Sequence, residues 1–132
     1  MKSQKIVSWI TRVVAAVILL QTLFFKFTAA PESVALFTQL GVEPWGRIGL
    51  GVAELIVAIL LLVPSTAWLG AIGGIGLMVG AIGAHVTTIG IVFNNDGGAL
   101  FTLAVITLLS SVIALYIHRK EIPLGKYKVG LA

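Results

Sequence analysis

The sequence predicts an all-α integral membrane protein, a four-helix transmembrane bundle in which residues 1–132 form a single transmembrane domain and both termini are cytoplasmic. Three observations lead there. Hydrophobic residues make up 58% of the 132, about 77 side chains, and a membrane-spanning helix uses roughly 20. Charged residues make up only 11%, where a soluble domain carries about 25%. The basic residues gather near the two ends of the chain, as the segments flanking an even number of spans would require. Within these residues a water-soluble fold, a second domain and a sizeable extramembrane catalytic module are excluded.

The elements follow in order. A first apolar run covers residues 9–27, followed by a polar, Pro-containing stretch from Thr28 to Trp45. A second run covers 46–63 and stops at Pro64-Ser65-Thr66, a break so short that the second and third spans must be antiparallel neighbours. The third run covers 67–93, and Asn94-Asn95-Asp96-Gly97-Gly98 separates it from a fourth at 99–117. The first run has the basic start of a signal peptide, but it is longer than a usual signal core and Pro31 stands just past Thr28-Ala29-Ala30. It is therefore read as a retained span. Lys2, Lys5 and Arg12 at one end and Arg119, Lys120, Lys126 and Lys128 at the other place both termini inside, while Glu32, Glu43 and Asp96 fall in the outer connections. The expected location is the bacterial inner (cytoplasmic) membrane, with multiple spans. Trp9, Trp45 and Trp68 lie near span ends, where an interfacial aromatic belt would put them.

Composition removes several chemistries. There is no cysteine, hence no disulfide, thiol relay or thiolate metal site. The net charge of +4 is not concentrated in a groove or along one helix, so nucleic acid is not an expected partner. Two histidines at opposite faces of a membrane cannot form a metal or haem site within one chain. The stretch Gly76-x-x-x-Gly80-x-x-x-Ala84 predicts close helix contact, in the fold or in a homo-oligomer.

Ionisable residues at membrane depth are expensive and carry the functional expectation. Arg12, at the inner end of the first span, is expected to snorkel to the headgroups, and His118 to be interfacial. Lys26, Arg47, Glu54 and His85 occupy three different spans, all in the half of the bilayer away from the termini. Lys26 and Arg47 each have an interfacial-anchor reading, Arg47 paired with Glu43 or Glu54, and His85 could serve as a hydrogen-bonded packing residue. Glu54, about 10 Å beyond Arg47, cannot easily reach water, and is either protonated or held ionised by Lys26, Arg47 or His85. Arg47, Gly51, Glu54 and Ala58 share one helical face; Ala15, Leu19, Thr22 and Lys26 share another, with Gln21 beside them; Gly74, Met78, Ala81 and His85 form a third. Small residues around each polar group turn these faces inward. The candidate ligand-binding or proton site is thus Lys26, Glu54, His85, Arg47 and Gln21, with no catalytic residue assigned.

Leu19-Leu20-Gln21-Thr22-Leu23-Phe24-Phe25-Lys26-Phe27, then Gly51-Val52-Ala53-Glu54-Leu55, Pro64 to Gly70, and Met78 through Ala84-His85 together resemble the DoxX family of small four-span membrane proteins. One departure is Leu23, where many relatives have Gly three residues before the Lys, leaving less room beside Lys26. The resemblance implies an accessory, redox- or quinone-linked binding subunit with an outward-facing polar pocket, a quinone as the ligand or cofactor to look for, and a membrane or periplasmic protein as partner. Two other readings stay open: a proton-coupled small-molecule carrier or membrane enzyme using Glu54 and His85, and a purely structural membrane assembly factor.

Overall fold

The computed structural model describes residues 2–92 and 97–122. The expected end of the third span at Phe93, the Asn94–Asp96 turn, and Lys126 and Lys128 lie outside the described residues. Among the described residues all regular structure is helical: α1 (Lys2–Phe27), α2 (Pro31–Gln39), α3 (Trp45–Leu62), α4 (Ala67–Ala84) continued by a π-helical turn (His85–Ile89), and α5 (Ala99–His118). A 3-10 turn at Pro64–Thr66 joins α3 to α4, and another at Arg119–Glu121 follows α5. All but α2 belong to segments long and apolar enough to cross a membrane, so the chain is a multi-pass membrane protein built as a four-helix bundle.

The four long helices close into a ring. α1 packs on α3 and α5, and α4 packs on the same two. Both described chain ends lie at one end of this ring, called here the terminal end; α2 lies at the other, distal end. In a bilayer, lipid tails are as apolar as the helices, so close van der Waals packing must hold them together. The core is accordingly rich in small residues, with Ala15, Ala16, Ala58, Ala71, Ala104 and Ala114 around Leu19, Val57, Leu61 and Met78. α4 meets the backbone of α3 at Gly70, where a Cβ would lie 2.6 Å from the backbone nitrogen of Leu61. Gly70→Ala is therefore expected to cost about 1–3 kcal/mol of stability by forcing two backbones apart. Gly80→Ala, where a Cβ meets nothing within 4 Å, should leave thermal unfolding in detergent almost unchanged. The close contact expected along Gly76, Gly80 and Ala84 is thus displaced within this chain: Gly70, Gly73 and Gly74 make it, and Gly76 and Gly80 stand clear.

α2 occupies the stretch that reads as a polar connection. Pro31 opens it, at a position where the missing N–H is no loss, and Gly41, at φ 76°, follows its end. Its Phe37 is buried, and Gln39 Nε2 donates to the Thr88 carbonyl at 3.0 Å, tying α2 to the π-helical turn.

Arg12 does not snorkel. It is 2% exposed, donating from Nε to the Leu61 carbonyl at 2.7 Å and from Nη2 to the Leu62 carbonyl at 3.3 Å. Its guanidinium also lies 4.2 Å over the Trp9 ring. The reason is the start of α1: the helix begins at Lys2 and not at Trp9, which carries Arg12 about 15 Å along it, against the end of α3. The last carbonyls of a helix have no partner within it, and Arg12 supplies one. Arg12 Nη1 donates to Ser8 Oγ at 3.3 Å, Ser8 Oγ is 2.6 Å from His118 Nε2, and His118 Nδ1 is 2.7 Å from Glu121 Oε2. His118, expected at the interface, is one link in this polar clasp across α1, α3 and α5.

Candidate functional site

A cavity of about 670 Å³ occupies the distal half of the ring, within the 300–1,000 Å³ common for small-molecule sites. Its lining is mostly aliphatic, including Leu19, Leu50, Leu77, Met78 and Leu103, with a few polar side chains: Thr22 and Lys26 from α1, Glu32 and Ser33 from α2, Glu54 from α3, and His85 from the π-helical turn. The helical faces read from the sequence account for this. Gly51, Glu54 and Ala58 are all buried along one side of α3, and Gly74, Met78 and His85 along one side of α4 and its extension.

Glu54 is 4% exposed. Lys26 Nζ stands 2.9 Å from its Oε1, and the Thr22 hydroxyl donates to its Oε2 at 3.4 Å. A buried carboxylate is tolerated only when paired, and Lys26, in the last turn of α1, is long enough to reach it. An ammonium carries three donors, so the pair leaves Lys26 able to bond a further acceptor. The pair is neutral as a unit, which suits an uncharged, hydrogen-bonding guest better than a free anion.

His85 is 5% exposed and is held by two contacts. Its Nδ1 is 2.9 Å from the Gly90 carbonyl, and the Phe101 ring meets it edge-on at 5.7 Å between centroids. The wider π-helical turn places it there; such turns are frequent at functional sites. Among the described residues no hydrogen bond or ion pair joins His85 to Glu54; they face one cavity without touching.

Arg47 is buried beside this group without lining the cavity. Its Nε donates to Glu43 at 2.8 and 3.1 Å, choosing the nearer of its two expected partners, and its Nη1 donates to the Lys26 carbonyl. It caps α1 and so fixes the backbone from which Lys26 reaches Glu54. Gln21 is exposed and outside the lining, so the structure does not bring it to the site. Thr22, Glu32 and Ser33 join the site without having been among its candidates. For α2 the signal was available: Pro31-Glu32-Ser33 opens a helix, and Ser33, Leu36, Phe37 and Leu40 repeat at helical spacing.

The sequence model of the DoxX-like family matches residues 10–114, a stretch that reaches from within the first span to within the fourth and contains every cavity residue. The chain belongs to the DoxX-like family. A search of curated proteins and one of solved structures find no match to it. In this DoxX-like protein Leu23 is buried outside the cavity lining, and Lys26 reaches Glu54 past it.

Proposed function

We propose that this DoxX-like protein is an accessory binding subunit that holds a lipid-soluble molecule with a neutral, quinone-like headgroup and presents it to a redox partner. The observation that carries the reading is a largely apolar cavity into which a buried Lys26–Glu54 pair and His85 all face. An apolar ring or chain would occupy the aliphatic lining, a headgroup oxygen would accept from Lys26, and His85, whose Nδ1–H donates to the Gly90 carbonyl, would accept through Nε2 from a hydroxyl of the reduced headgroup. The distal face around α2 would be where a membrane or periplasmic protein docks. The basic chain ends support an orientation with termini in the cytoplasm and the cavity half toward the other side of a bacterial inner membrane. Nothing in this reading requires the chain to catalyse a reaction.

Organic extraction of protein purified in mild detergent tests the proposal, with bound lipophiles identified by mass spectrometry. The native chain should carry a near-stoichiometric quinone, and Glu54→Gln, which frees Lys26 from its partner and reshapes the polar group, should retain at least tenfold less. Ligand-free native protein, or equal retention by the variant, would remove the binding role.

A further inference from the structure

We infer that the cavity is reached sideways, from within the bilayer, through a seam between α3 and α4, so that its ligand is a molecule dissolved in the hydrocarbon and not one arriving from water. For the existence of a ligand this rests on the binding role proposed above; the seam itself is geometric. Near the Pro64–Thr66 turn the two helices touch. A Cβ at Gly70 would meet the backbone of Leu61, and one at Gly73 would lie 2.8 Å from Val57 Cγ2. Gly73, Gly76 and Gly80 follow at spacings of three and four, so they share the side of α4 that looks toward α3. Past Gly73 and Gly74, both of which meet Val57, this side opens: Gly76 and Gly80 are exposed, and a Cβ at either would meet no atom within 4 Å. Both glycines line the cavity, as do Leu50 and Glu54 on α3. The helices therefore diverge distally, and the cavity fills the space between them.

Two further features point the same way. On the distal side α2 lies over the cavity, with Phe37 buried and Gln39 tied to Thr88. The buried polar groups Glu54 and His85 both line this cavity, and among the described residues the His85 ring bonds only through Nδ1. A guest sliding in from the lipid thus finds its hydrogen bonds at the end of an apolar passage. Glycine at 76 and 80 keeps that passage clear, since any larger side chain would project into it.

The chain has no cysteine, so Ala104→Cys places a single thiol on the α5 side of the cavity, where Ala104 is buried. In phosphatidylcholine nanodiscs, a pyrene maleimide dissolved in the lipid should label this thiol, and a charged methanethiosulfonate supplied in water should not. Adding Gly80→Leu should slow the lipid reagent at least tenfold. Adding Val79→Leu, at an exposed position outside the cavity lining, should leave the rate unchanged. A Leu109→Cys thiol, on the exposed side of α5, should label equally with and without Gly80→Leu, which controls for folding. Equal labelling of Ala104→Cys by the charged reagent, no labelling by either, or indifference to Gly80→Leu would each overturn the lateral route. Because the readout is thiol reactivity, the route can fail while quinone retention stands, and the reverse.

Discussion

Replacing Arg12 with leucine is expected to lower the stability of the bundle by about 2–4 kcal/mol. The guanidinium holds the carbonyls of Leu61 and Leu62, the last two residues of α3, and lies over Trp9. Without it two acceptors lose their partner where little water can replace it, at about 1–3 kcal/mol for a fully buried group. Neutral interhelical hydrogen bonds in membranes average nearer 0.6 kcal/mol; the larger figure applies here because the donor is charged and serves two carbonyls at once. Arg12→Lys should fall between, since an ammonium lacks the planar fork that reaches both oxygens. Reversible unfolding in mixed micelles measures this, and a loss below about 0.5 kcal/mol for Arg12→Leu would show that the clasp is ornamental.

Lys26→Met is expected to destabilise by about 3 kcal/mol, because it leaves Glu54 as an uncompensated buried carboxylate. The informative comparison is the double variant Lys26→Met/Glu54→Met. Well-packed apolar side chains commonly replace a buried pair at no net cost, so the double variant should recover most of the lost stability while holding no lipophile. That outcome would mean the ion pair is kept for what it binds. A double variant as unstable as Lys26→Met alone would instead support a purely structural role for the pair. Unfolding free energies and extracted ligand, read on the same three proteins, separate the two.

The spans were legible because hydropathy and turn chemistry act over short stretches. Pro64 ends α3's apolar run within a residue or two, and the facing stripes of Glu54 and His85 follow from helical spacing alone. Arg12 was not legible, since a residue's depth depends on where its helix begins, and an apolar run does not mark a start set by the largely polar stretch Lys2 to Ser8. The partner that buries it, the end of α3, is 49 residues away, and no local pattern encodes that meeting. Gln21 failed for a related reason: on a helix whose two sides both carry apolar residues, one position of rotation decides whether a side chain faces lipid or core. The glycines misled because small residues permit close contact without requiring it, and Gly76 and Gly80 border a gap where Gly70 borders a backbone.

The two buried arginines have a joint mechanical consequence. Arg12 of α1 grips the end of α3, and Arg47 of α3 grips the end of α1 at the Lys26 carbonyl. The two antiparallel rods are pinned at both extremities, so neither can slide by a turn, about 5.4 Å, without surrendering both grips. α4 is tied to α3 at one end, where the Thr66 hydroxyl ahead of its first turn donates to the Leu60 carbonyl at 3.0 Å. The wall of the chamber that carries the Lys26–Glu54 pair is therefore pinned at both of its ends, which holds the two charged side chains in one register.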